Sequence, residues 1–202
     1  MTELRASRIV LREKRLEDAP EDYAWRTDEE LSRLDAASPL RLPYSEYRRV
    51  LADELRYPFP WTQRFAIDTT EGKHIGNCML YDIDTAAGQA ELGIMIGERE
   101  YWDRGYGTEA ITCLADHTFQ TTSLKRIYLH TLEWNIRAQH SFVKCGFKPV
   151  RKVRRSSHDF LLMELLRADW EAQSFSRRAQ RDSAAADRAA KGQEGMGPER
   201  QG

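Results

Sequence analysis

Alternating apolar and polar positions predict a mixed succession of strands and helices. Period-two or continuous apolar patterns predict strands at residues 8–12, 64–68, 74–81, 91–96, 126–132, 149–155 and 159–165. Helical spacing of apolar residues predicts helices at 18–25, 28–36, 44–55, 108–119, 136–144 and 168–172. Turn residues join the strands between 64 and 96 into a meander, and a strand–helix–strand–helix unit follows. This order predicts an α/β (α+β) domain with helices over a mixed central sheet.

The pattern ends before the C-terminus. Segment 173–202 contains one aromatic residue, Phe175, and no Leu, Ile or Val. Such a composition cannot bury enough apolar surface to offset the entropy lost on ordering. The sequence therefore predicts one folded domain at 1–172 and a disordered polar tail at 173–202.

Composition narrows the class of protein. The 202 residues are 41% hydrophobic and carry a net charge of -1, which fits one globular domain and disfavours binding of nucleic acid through overall charge. No apolar run is long enough to predict a membrane helix. The three cysteines lie far apart, with no Cys/His cluster, so neither a disulfide framework nor a metal site is expected. A reducing, cytoplasmic location follows as an expectation.

The most informative motif is a glycine-rich loop, Arg104-Gly105-Tyr106-Gly107-Thr108, between a predicted buried strand and a predicted helix. Two glycines allow the backbone to approach a ligand closely and permit positive φ. The free N–H groups of the helix's first turn attract phosphate oxygens, and Arg104 can add a charge-assisted contact. The alternative is an ordinary glycine turn with Thr108 as the helix cap.

A second motif follows the strand at 126–132. It runs from Asn135-Ile-Arg-Ala138 to Phe142-Val-Lys-Cys-Gly-Phe147. Together the two motifs resemble the GNAT superfamily of acetyl-CoA-dependent N-acetyltransferases, over about Leu4 to Trp170. The segment RIVLR at 8–12, with Glu17-Asp18 and Trp25 after it, is similar to the branch that acetylates ribosomal-protein N-termini and includes acetyltransferases of small amines. Trp102 departs from the family pattern, in which Gln or Arg usually begins the loop.

The resemblance implies a mostly antiparallel sheet with helices on both faces and a splayed central strand pair. The gap between those strands would accept the pantetheine arm of acetyl-CoA, and no metal is implied. A backbone N–H near Met95 or Ile96 would stabilise the oxyanion. The implied binding residues are Ile94, Met95 and Ile96 for the arm, Arg104, Gly105, Tyr106, Gly107 and Thr108 for the pyrophosphate, Asn135 and Ala138 opposite the arm, and Phe142 near the thioester.

Acyl transfer to an amine also needs a proton acceptor. Glu91 is the favoured base, acting directly or through water, and Glu98 and Glu100 are rivals. The alternative for Glu91 is a solvated carboxylate at a strand end.

The departing thiolate needs a proton donor. Phe142 stands where many relatives have a tyrosine acid, so protonation is left to water, Tyr101 or Tyr106. A covalent role for Cys145 is less favoured than burial as a structural cysteine.

The function expected from these residues is transfer of acetyl from acetyl-CoA to a primary amine, by direct attack on the thioester. The acceptor is either a protein N-terminus, such as that of a ribosomal protein or peptide, or a small amine. A non-catalytic module that senses CoA, or docks on RNA through the basic run at 148–155, is the alternative. His130, His140 and His158 are interpreted as structural or exposed, and a homodimer is left open.

Overall fold

The computed structural model describes residues 3–175. Their strands form one eight-stranded sheet with the order β1-β2-β3-β4-β5-β6-β8-β7, in which only β5 and β6 are parallel neighbours. The strands are β1 Glu3–Arg5, β2 Ile9–Glu13, β3 Gln63–Thr69, β4 His74–Asp84, β5 Gln89–Ile96, β6 Arg126–Leu132, β7 Lys148–Arg155 and β8 His158–Leu166. The predicted meander is β3-β4-β5. The predicted mixed, mostly antiparallel sheet is confirmed, and β1 is an addition that the sequence pattern did not predict.

Helices cover both faces of the sheet. They are α1 Ala19–Thr27, α2 Glu29–Leu34, α3 Tyr44–Arg56, α4 Tyr106–Thr121, α5 Ile136–Lys144 and α6 at 167–175. The α4 side chains Ala110, Ile111, Leu114 and Phe119 are buried in the main core, as their spacing predicted. Helix α1 lies over the opposite face, where its Asp22 bonds Asn77 of β4.

The parallel pair in the middle of the sheet separates after three residues. Strands β5 and β6 pair from Gln89↔Arg126 to Glu91↔Tyr128, yet β5 continues to Ile96 and β6 to Leu132. A wedge therefore opens between them, and the expected splayed strand pair is confirmed.

A buried ionic network ties α1 to the sheet. Arg12 donates to Asp18 at 2.7 Å and to Asp68 at 2.6 Å. Burial works against ionisation, but the bonds from Arg12 and the Arg15 N–H outweigh it and lower the pKa of Asp18 to about 2.

The network continues toward the wedge. Lys14 Nζ lies 2.5 Å from Asp22, and the His74 ring lies between Asp22 and Asp68. Burial alone would lower the pKa of His74, but bonds to the two carboxylates raise it. The Trp25 ring contacts His74 in a tilted arrangement and lies against Gly97, where a side chain would have no room. These contacts fix α1 beside the end of β5.

The end of the domain differs slightly from the predicted boundary. Helix α6 includes 173–175, and the Gln173 side chain packs against Gly146, so the first residues of the predicted tail belong to the folded body. The rest of the predicted tail, 176–202, lies outside the described residues.

Candidate active site

The wedge between β5 and β6 opens into a cavity of about 300 Å³. The end of β5, the loop after it, the start of α4 and most of α5 form its walls, and the end of α2 closes one side. Of the predicted binding residues, those that line it are Ile94, Met95, Ile96, Gly105, Gly107, Thr108, Asn135, Ala138 and Phe142.

Backbone groups of β5 face this cavity at alternate residues. The Gly97 N–H donates to Ile75 O at 2.9 Å, which makes Gly76↔Ile96 a non-hydrogen-bonded pair of the β4–β5 ladder. The N–H and C=O groups of Ile96 and Ile94 therefore face the wedge, and those of Met95 face β4. This register disagrees with a backbone bond from Met95 to the arm or to the oxyanion, although Met95 itself lines the cavity.

Trp102 uses one of these wedge-facing groups. Its indole N–H donates to Ile96 O at 2.7 Å, and the Arg137 guanidinium lies 3.9 Å from the centre of its ring. Trp102, which departs from the family pattern, thus connects the loop to β5 on one side and to α5 on the other. The groups left for a ligand are the Ile94 N–H and C=O and the Ile96 N–H.

The glycine-rich loop forms a concave set of N–H donors. Gly105 has a φ of 83° and precedes the helical Tyr106, a left-handed then right-handed sequence that typically binds anions. The first helical bond runs from the Glu109 N–H to Gly105 O, so three earlier N–H groups lie outside the helix ladder. Of the two glycines that permit positive φ, Gly105 adopts it and Gly107 lies in α4.

The remaining loop residues do not line the cavity. The Arg104 carbonyl accepts from Arg8 Nη1 at 2.8 Å, and its side chain is exposed. The Tyr106 ring lies under the Arg8 guanidinium, 4.6 Å away, and meets Tyr101 edge to face. Of the two tyrosines considered as proton donors, Tyr101 lines the cavity and Tyr106 does not.

Helix α5 forms the opposite wall. Asn135 Oδ1 accepts the Ala138 N–H at 3.2 Å, so the asparagine caps the helix. Phe142 is 7% exposed and packs against Phe147. The position at which many relatives have a tyrosine hydroxyl as proton donor is therefore occupied by a phenyl ring. Basic and polar residues of the same helix that line the cavity are Arg137, His140, Ser141 and Lys144.

Glu91 lies beside the wedge rather than in the cavity lining. It is 4% exposed and in the last residue pair of β5 and β6, so the solvated alternative is wrong. His130 Nδ1 lies 2.7 Å from Glu91 Oε1, and Arg155 Nη1 lies 3.4 Å from the same nitrogen. Burial and then the Glu91 carboxylate raise the pKa of Tyr81, which faces Glu91 across β4 and β5.

His130 is the candidate that the sequence analysis missed. Its interpretation as structural or exposed rested on metal-ligand spacing along the chain. Thirty-nine positions separate it from Glu91, and only the parallel register of β5 and β6 brings the two onto one face. The signal that could have found His130 is the alternation of side chains along β5 and β6, which decides which residues share a face of the sheet.

The rival carboxylates are engaged elsewhere. Glu98 accepts from the Trp25 indole at 3.2 Å and lies 3.5 Å from Lys73 Nζ, and Glu100 pairs with the same lysine. Cys145 is buried, and its Sγ lies 3.4 Å from Thr108 O, as a structural cysteine would.

Two further expectations concern surface charge and metals. In the basic run, Lys148, Lys152 and Arg154 pair with Asp169, Glu133 and Asp159, as on a solvated strand face. Within residues 3–175 no cluster of His, Cys, Asp and Glu could hold a metal ion. In that same span no helix has the length and apolarity to cross a membrane.

Comparison with known proteins agrees with this geometry. Residues 8–148 match the family described as Acetyltransferase (GNAT) domain. The uncharacterized N-acetyltransferase p20 of Bacillus licheniformis is 31% identical over 130 residues, 63% of this chain and 71% of that protein. The spermidine N(1)-acetyltransferase of Vibrio cholerae is 31% identical over 85 residues, 42% of this chain and about half (49%) of that enzyme.

Solved structures show the same fold at low sequence identity. The Vibrio cholerae spermidine N-acetyltransferase in complex with CoA and spermine superposes with a TM-score of 0.72 at 20% identity, covering 82% of this chain and 99% of that one. The aminoglycoside acetyltransferase AAC(6')-Ib in complex with coenzyme A gives 0.66 at 18% identity, covering 81% and 98%. With a family match over more than half of its length, the chain belongs to the GNAT acetyltransferases and is an acetyl-CoA-dependent N-acetyltransferase.

Proposed function

We propose that this N-acetyltransferase acts by direct attack of a primary amine on the thioester, with Glu91 as the proton acceptor. The observation that carries this proposal is the buried Glu91–His130 pair at the point where β5 and β6 separate. A carboxylate held there lies next to the wedge into which the acetyl group would project. A carboxylate paired with a histidine beside a cleft is a candidate for acid–base chemistry.

In the proposed complex, the co-substrate lies along β5. The wedge-facing groups of Ile94 and Ile96 match the amides of a pantetheine arm, and the N–H groups around Gly105 and Gly107 match a pyrophosphate. The Ile94 or Ile96 N–H then lies closest to the developing oxyanion. Phe142 packs along the arm and supplies no proton. The phenol among the described cavity-lining residues belongs to Tyr101, which becomes the candidate acid beside water.

The acceptor that best fits the site is a small amine with a second positive charge. Asp35, at the C-terminus of α2, lines the cavity. Besides burial, the carboxylates of Glu91, Asp82 and Asp35 each help to raise the pKa of Tyr81, so all three lie within electrostatic reach of that phenol. A cation next to the reacting amine would be attracted there. A protein N-terminus, suggested by the resemblance of the opening segment, is the second candidate.

The test is thiol release from acetyl-CoA across a panel of acceptors. The panel contains spermidine, a diamine, a monoamine of equal length, an aminoglycoside and peptides with free Ala or Ser N-termini. We expect turnover with the polycations and at least about tenfold lower kcat/KM for the monoamine, since one charge-assisted contact is lost. Turnover confined to peptides would overturn the small-amine assignment.

The non-catalytic alternative has one observation in its favour, which is the phenyl ring of Phe142. The same assay separates the two functions. CoA binding by calorimetry without thiol release from any acceptor would favour a module that senses CoA.

A further inference from the structure

Arg8 reaches from the sheet to the glycine-rich loop. It lies immediately before β2, far from the loop in sequence. Its Nη1 donates to Arg104 O at 2.8 Å, and its Nε donates to Glu109 Oε2 at 2.9 Å. The Arg8 backbone N–H donates to Glu109 Oε1 at 2.6 Å, and the guanidinium covers the Tyr106 ring at 4.6 Å. One side chain thus holds the loop, the first turn of α4 and an aromatic ring.

The bond to Arg104 O fixes the direction of a peptide plane. In a trans peptide the C=O and the following N–H point in opposite directions. With the Arg104 carbonyl turned toward Arg8, the Gly105 N–H turns to the other side, into the concave set of donors. The bond from Arg8 helps to hold the loop in this turn, in which Asp103 has a φ of 56° that is costly for a residue other than glycine.

We propose that Arg8 is a positioning residue for the pyrophosphate of acetyl-CoA. It acts through the Arg104–Gly105 peptide, which it orients, and Glu109 in turn orients Arg8. This inference rests on the proposed location of the pyrophosphate at the loop. It does not concern the acceptor or the proton transfer.

The surroundings of Arg8 separate this role from general support of the fold. Its side chain is 46% exposed and that of Glu109 is 16% exposed. A partly exposed ion pair contributes little to the free energy of unfolding. Loss of Arg8 should therefore change ligand binding more than it changes the melting temperature.

The test compares two acetyl donors in the Arg8→Gln variant. Acetyl-CoA carries the pyrophosphate, and S-acetylpantetheine does not. For acetyl-CoA we expect KM, and the Kd of CoA by calorimetry, to rise about tenfold, as for loss of one well-placed hydrogen bond, with kcat unchanged. For S-acetylpantetheine we expect kcat/KM to stay at the wild-type value. Arg8→Lys keeps a charge beside Glu109 but cannot form the forked contacts, so its loss should be intermediate.

Arg5→Gln is the matched control, because Arg5 is exposed in β1 and pairs only with the nearby Glu3 among the contacts of residues 3–175. Equal losses with both donors in Arg8→Gln would show a structural role and overturn the proposal. Unchanged acetyl-CoA kinetics in Arg8→Gln and Arg8→Lys would also overturn it. If Arg8→Gln does not fold, Arg8→Lys decides by the same comparison. If the wild-type protein used acetyl-CoA and S-acetylpantetheine with equal kcat/KM, the proposed pyrophosphate site would be overturned instead.

Discussion

Glu91 Oε1 and His130 Nδ1 lie 2.7 Å apart and bridge β5 and β6 where the two strands stop pairing. In the proposed mechanism the amine proton passes to Glu91, and the imidazole of His130 holds that carboxylate in place. The pair therefore suits a reaction that must deprotonate an ammonium before attack.

Replacing Glu91 by Gln should lower kcat by about 100-fold or more, since that is the usual contribution of a positioned general base. KM for acetyl-CoA should stay unchanged, because the amide keeps the shape and the proposed CoA contacts lie elsewhere. Steady-state kinetics with both substrates varied checks this. Glu100→Gln makes the same change at an exposed carboxylate paired with Lys73 and should leave kcat unaltered. A fully active Glu91→Gln enzyme would remove Glu91 from the mechanism.

His130→Gln should lower kcat by a smaller factor, roughly tenfold, because the carboxylate survives but loses its orienting partner. In the double variant with Glu91→Gln, the loss should be close to that of Glu91→Gln alone. Additive losses in this double-mutant cycle would show that the two residues act independently.

Gly107→Val should raise the Kd of CoA by at least about tenfold by calorimetry, because the added methyl groups enter the cavity at the N–H donors. The fold should survive, since Gly107 lies in a helix and a Cβ there would be 3.6 Å from Ile96 Cγ1. Gly105→Ala is the contrasting variant, because a side chain at a φ of 83° costs about 1–2 kcal/mol of stability. Unchanged CoA binding by folded Gly107→Val would place the phosphate elsewhere.

The ionisation of Asp18 makes the free energy of unfolding depend on pH in the acid range. Its pKa is lowered from 3.8 to about 2 in the folded protein, so its contribution is complete above the unfolded value and disappears as the pH falls toward 2. Asp18→Asn should lower the free energy of unfolding by about 2 kcal/mol at pH 7. Urea unfolding at several pH values checks this, and the two proteins should converge near the acid end. A difference that is constant with pH would contradict the linkage.

The fold could largely be predicted from the sequence, and the residue contacts could not. Strand 126–132 and helix 136–144 have the predicted bounds, because their apolar periodicity is regular and Asn135 marks the helix start. The cavity wall formed by Asn135, Ala138 and Phe142 followed from a motif. By contrast, the direction of the Met95 backbone groups could not be predicted, because hydrogen-bond direction along a strand depends on its register with a neighbour.

Contacts between residues far apart in the chain were the second feature that the sequence could not predict. His130 meets Glu91, and Arg8 meets Glu109, over separations of 39 and 101 positions. Each partner is an ordinary polar residue whose role depends on which strands lie side by side. The local sequence pattern carries no information on which strands are neighbours. Trp102, by contrast, could be recognised from the sequence as unusual for its position.

The early separation of β5 and β6 leaves two strand edges inside the molecule rather than at its rim. Exposed edges commonly recruit strands of other chains, but these are short and enclosed by α4 and α5, so they admit a thin ligand instead. A ligand that completes the sheet only in the folded state adds to stability by mass action, about 2.7 kcal/mol at a hundredfold excess over Kd. The melting temperature of the purified protein should therefore rise with the concentration of acetyl-CoA.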